Sequence, residues 1–136
     1  MIAKEAMQAK QVRKQNQEEV LIDEFLRERA AVLARAGFAV EDALNKLLMI
    51  EQRIEKQSNQ LHAMRTCGYV KEKQEDEQLL FNAINAAIDE YNEACRKADL
   101  QYYYLLVTRE AMGLYRHETV KQFYAIPPKK KQLQAI

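Results

Sequence analysis

Only five residues of this 136-residue chain are natural interrupters of a helix: Gly37, Gly68, Gly113, Pro127 and Pro128. Glycine enters left-handed backbone freely, and proline lacks an amide hydrogen, so helices stop at these residue types. A chain with so few of them must run in long unbroken elements. Ala, Leu, Glu, Lys, Arg and Gln fill the intervals, and all are good helix formers. No Val/Ile/Thr-rich run alternates with period two, so strands are not expected. The chain reads as one all-α domain over residues 1–136.

The apolar spacing predicts three main helices and a short fourth. The segment 1–17 is polar, with only Ile2, Met7 and Val12 as sizeable apolar residues. It reads as a frayed helix or an extension covered by a neighbouring subunit. A first helix is predicted over 18–36, with Val20, Leu21, Ile22, Phe25, Leu26, Val32 and Leu33 forming a broad stripe that calls for cover on more than one side. Gly37 is expected to end it in a left-handed stop, with Phe38 packing on Leu33. A second helix is predicted over 40–66, where Ala43, Leu47, Ile50, Ile54, Gln57, Leu61 and Met64 keep four-three spacing. Gly68 is expected to end that helix, with Tyr69 packing on Met64.

A third helix is predicted over 71–113. Leu80, Ile84, Ala87, Tyr91, Ala94, Ala98, Leu105 and Met112 share one register, and Phe81, Ile88, Cys95 and Tyr102 flank it at intervals of seven. The second and third helices should pair as an antiparallel, coiled-coil-like hairpin. The buried face of the third is wider than such a pair needs, which implies a second partner. Tyr102, Tyr103 and Tyr104 point about 100° apart in succession, so one neighbour cannot cover all three. A homodimer is therefore expected. A short helix over 116–125 should present Val120, Phe123 and Tyr124 on one face. Residues 128–136 read as one more turn or a loose tail.

Several chemistries lack the residues they need. Net charge is +1, so no general attraction to nucleic acid or anionic membranes follows. No apolar run approaches the roughly 18 residues of a membrane helix, and no signal sequence opens the chain. A cytoplasmic location is expected. His62 and His117 are the only histidines, neither preceded by Glu at three residues, so a bundle-type di-metal site is not expected. Cys67 and Cys95 have no companion ligands at metal spacing and read as reduced thiols. Ser58 is the only serine, and no glycine-rich loop is available for phosphate. No catalytic, cofactor-binding or metal-binding residue is assigned, and an enzyme is not expected.

One stretch stands apart, "VTREAMGLYRHETVKQFYAIPPKKK". Gly113 should turn the chain, and Arg109 occupies the position where the other two glycine stops have Leu33 and Met64. Arg109 could pair with Glu118 or reach carbonyls near the helix end. Tyr102, Tyr103, Tyr104, Arg109, Glu110, Gly113, Leu114, His117, Tyr124 and Pro127 form a candidate interaction corner. The expected function is a small dimeric adaptor or scaffold that binds protein. The alternatives are an export-type chaperone holding a client helix and a DNA-binding regulator using the terminal helix pair.

The same stretch resembles the C-terminal signature of a family of small bacterial helical proteins of unknown function. Arg109, Glu110, Gly113, Leu114, Val120, Tyr124, Ile126 and Pro127 carry the likeness. "LRERAAVLARAGFAVEDALNKL" resembles that family's N-terminal half. Residues 56–78 do not match, and "PPKKKQLQAI" replaces a more acidic tail. The resemblance implies a helical bacterial cytoplasmic protein and supplies no activity.

Overall fold

The computed structural model describes residues 2–67 and 71–134. It contains α1 (Ile2–Thr66), α2 (Lys71–Ala111) and α3 (Glu118–Phe123). The two long helices pack together, and among the described residues there is no strand. The contacts separate two compact units, Met1–Arg35 and Ala36–Ile136. The expected stop at Gly68 and Tyr69 lies outside the described residues.

The main correction concerns Gly37. Two helices were predicted over 18–36 and 40–66, but α1 is continuous through both. Among the described residues only Gly113 has positive φ, so Gly37 is ordinary helix. The physical reason lies in the residues on either side of it. Ala36, Val40, Leu44 and Leu47 keep a three-to-four spacing across the glycine and pack into the core. Breaking the helix would throw that stripe out of register, whereas a glycine inside a helix costs only about 1 kcal/mol relative to alanine. A Cβ built at Gly37 would lie 3.4 Å from the Tyr124 hydroxyl.

In the unit 36–136 the core follows the predicted seam. Leu47, Ile50, Ile54 and Leu61 of α1 are buried with Ile84, Ala87, Ile88, Tyr91, Ala94, Cys95 and Ala98 of α2. A second cluster joins Val40, Leu105 and Val120, with Tyr102, Leu106 and Tyr124 packed against it. Ion pairs Arg53–Glu90 and Arg65–Glu77 link the two helices at the surface. One polar residue intrudes on the seam: Gln57 Oε1 is buried with no hydrogen-bond partner among the described residues.

In the unit up to Arg35, the segment 2–17 is helical and exposed. The broad stripe was expected to be covered, yet Val20, Leu21, Ile22, Phe25 and Leu26 each remain more than half exposed. The short helix is also corrected. It covers only six residues, and of the three expected face residues Val120 is buried and Tyr124 is half-buried, while Phe123 is 75% exposed. A one-and-a-half-turn helix can present only one strip to its neighbour.

Gly37→Ala separates the helical reading of this position from the stop. An interior site gains about 1 kcal/mol from alanine, and 3.4 Å to the Tyr124 hydroxyl is ordinary contact. Thermal melting should therefore shift upward by a few degrees. A left-handed stop would instead lose stability.

Candidate functional site

The end of α2 is built as a left-handed turn. Gly113 has φ 84°, and its amide donates to the Glu110 carbonyl at 2.9 Å. The Leu114 amide donates to the Arg109 carbonyl, also at 2.9 Å. These are the paired bonds of a Schellman motif, which satisfy carbonyls that the helix end would otherwise leave open.

The hydrophobic contact of that motif is replaced by charge. The Arg109 guanidinium donates through Nη2 to the Arg116 carbonyl at 2.9 Å and through Nε to His117 Nδ1 at 3.4 Å. The other ring nitrogen of His117 lies 3.0 Å from Glu110 Oε1. With Nδ1 accepting from arginine, Nε2 must carry the proton and donate to the carboxylate. Arg109 thus takes the carbonyl alternative, and its side-chain partner is His117 where Glu118 was considered. Leu114 stays exposed. The result is a tie of three polar side chains across the turn between α2 and α3.

The remaining corner residues divide into two groups. Tyr102 packs on the Val40–Leu105–Val120 cluster. Tyr103 and Tyr104 are exposed, their ring centroids 6.1 Å apart and tilted by 53°. Tyr124 returns to α1, where its hydroxyl donates to Glu41 Oε1 at 2.8 Å. That bond to a carboxylate, aided by burial, raises the Tyr124 pKa. Pro127 closes the group, its carbonyl 3.7 Å from Cys95 Sγ.

Residues 128–134, read from the sequence as one more turn or a loose tail, are neither a helical turn nor free of contacts. They lie along α2 as a non-helical segment. The Asn92 side-chain amide donates to the Lys130 carbonyl and accepts from the Lys130 amide, both at 2.8 Å. Asn85 does the same for Leu133, at 3.3 and 2.7 Å. Gln132 donates to Asp89. Lys130 Nζ sits 3.3 Å from Glu51 Oε1 and 5.0 Å from the centre of the Tyr91 ring. Sequence reasoning missed Asn85 and Asn92. Their signal is two poor helix formers seven residues apart, and so on one helix face, inside an otherwise strong helix.

Beneath this segment lie Tyr91 and Cys95, both almost fully buried. Burial pushes the Tyr91 phenol up to about 12 and raises the Cys95 thiol. Such a thiol is not an activated nucleophile. Among the described residues no three His, Cys, Asp or Glu side chains gather in a metal-binding group. Nor is any described helix long and apolar enough to cross a membrane. Comparison with protein-family models, curated proteins and solved structures found no match.

Two outcomes follow from this geometry. Gly113→Val forces a β-branched residue to positive φ with no neighbour within 4 Å to strain against, so the cost is purely backbone. A loss of about 1–2 kcal/mol or more is expected in chemical denaturation, and an unchanged midpoint would refute it. The second outcome concerns alkali. A phenol whose folded pKa lies above its unfolded value of 10.0 keeps its proton longer when folded. Stability should be level below pH 10 and fall as pH rises toward 12. Tyr91→Phe should make that decline shallower in melts across the same range.

Proposed function

We propose that the chain is a non-enzymatic protein–protein interaction module, a small adaptor that acts as a homodimer. One observation carries this reading: the apolar face of α1 between Val20 and Val32 is exposed. Leu21, Ile22, Phe25, Leu26, Val32 and Leu33 fall within an arc of about 140° at 100° per residue. A stripe of that width is the kind an amphipathic helix lays against a neighbour. Exposed apolar patches of this kind mark association surfaces. Arg29 lies over the Phe25 ring at 5.3 Å, a modest cation–π contact on this face.

In this reading α2 and the C-terminal part of α1 form the antiparallel, coiled-coil-like stem. The order of their ion pairs supports it, since Arg53 meets Glu90 while the later Arg65 meets the earlier Glu77. The exposed tyrosines at 103 and 104, with Tyr115 and Phe123, offer a further contact surface at the corner. The cytoplasm is the proposed location. The likeness to small bacterial helical proteins fits this picture and adds no chemistry to it.

Light scattering coupled to size exclusion tests the proposal. The wild type should have twice the 15.9 kDa chain mass. Leu21→Asp with Phe25→Asp, both at exposed positions, should restore the mass of one chain while leaving most of the helical circular dichroism intact. A wild-type mass of 15.9 kDa would overturn the dimer and give the face to a client helix instead.

A further inference from the structure

Two periods coincide where the C-terminal segment meets α2. Asn85 and Asn92 are seven residues apart, about 10.5 Å along an α-helix. Their partners Leu133 and Lys130 are three residues apart, about 9–10 Å in an extended or polyproline chain. Two turns of α2 therefore match one turn of the extended segment. Each asparagine meets the backbone of every third residue and binds both its N–H and its C=O. A side-chain amide used this way imitates the edge of a neighbouring strand. It reads extended backbone geometry without reading side chains. Pro127 has no N–H to offer, and Cys95 Sγ, three residues beyond Asn92 and so outside the seven-residue repeat, donates to its carbonyl alone.

Side chains are read at few places. Ile126 packs on the main core cluster. Pro127 is half-buried, and two consecutive prolines set the extended conformation. Lys130 is received by the Glu51 carboxylate and the face of Tyr91. Pro128, Lys129, Lys131, Gln132 and Leu133 are exposed. The segment thus buries little apolar area beyond Ile126, and it is held by contacts that another chain with the same few features would reproduce. Segments held so are the ones that open at low free energy.

We propose that this face of α2, together with Glu51 and Tyr91, is a groove for an extended peptide from another protein. Its ligand carries an aliphatic residue, a proline directly after it, and a lysine three positions beyond that proline. The chain's own residues 126–133 fill the groove as a built-in ligand. The charge of Glu51 selects lysine, the asparagines select extended backbone, and the core cluster selects the aliphatic residue. A tethered occupant competes at an effective concentration on the order of millimolar, so a second peptide binds well only when the tail is weakened or outmatched. This site shares no residue with the apolar face of α1 and does not depend on what that face binds.

The test uses the full chain and a fluorescein-labelled peptide copying residues 125–134, AIPPKKKQLQ. Lys130→Pro with Leu133→Pro removes the two amides that Asn92 and Asn85 accept, and releases the tail at positions outside any helix. The released variant should bind the peptide in an anisotropy titration at least tenfold more tightly than the wild type. Adding Asn85→Ala and Asn92→Ala should weaken binding at least tenfold, and alanine at both sites favours the helix. A scrambled peptide of the same composition should not bind. Should the double proline variant lose helix, Lys130→Glu weakens the tail with one substitution facing Glu51. The groove is overturned if a folded tail-weakened variant fails to bind the peptide. It is equally overturned if binding survives loss of both asparagines, or if the scrambled peptide binds as well.

Discussion

Close contact between α1 and α2 along one apolar seam is the condition for everything else in the unit 36–136. Ala87, Ala94 and Ala98 are small enough to let the two helices approach, and Leu47, Ile50, Ile54 and Leu61 meet them with Ile84 and Tyr91. Interiors packed to crystal density tolerate neither gaps nor surplus methylenes, so this alternation of small and large residues fixes the distance between the helices. Tyr91 is the largest side chain in the seam and is almost fully buried. Its ring forms the floor on which Lys130 rests. Without the seam neither the corner nor the tail would have anything to lie on.

The corner uses polar groups where the seam uses volume. A helix end must satisfy its last carbonyls, and Gly113 allows the chain to fold back on two of them. Arg109, His117 and Glu110 then hold the reversed chain. Surface ion pairs are worth little singly, and the value of this set lies in geometry. It sets the direction in which α3 starts, and so places Val120 in the core and Tyr124 over Gly37. Gln57 is the one place in the seam where this division fails, since its Oε1 is buried without a partner.

Much of this was legible in the sequence, and the failures share a cause. Spacing identified Leu47, Ile50, Ile54, Leu61, Ile84, Ala87, Tyr91, Ala94, Ala98 and Leu105, all of which are buried. Periodicity works there because one face of a helix meets one neighbour. Gly113 was readable as a turn because the apolar register that reaches Met112 does not continue beyond it. Gly37 was misread because a glycine signals conformational freedom whether or not the fold uses it, and here the apolar register through Ala36 and Val40 keeps the helix going. The stripe at Val20 to Val32 was legible as apolar, but sequence does not say whether a face is covered by its own chain. The tail was unreadable for a different reason. Its attachment depends on backbone groups, which every residue has, and on two asparagines whose meaning appears only when something lies beside them.

The tail and Tyr124 also impose an order on how the chain is completed. Tyr124 reaches Glu41 across 83 residues, Lys130 reaches Glu51 across 79, and Leu133 reaches Asn85 across 48. Contacts of such separation carry the largest loop-closure entropy and form after local ones. The cover that Pro127 and Lys130 lay over Cys95 and Tyr91 is therefore the part of this unit that closes last as the chain folds.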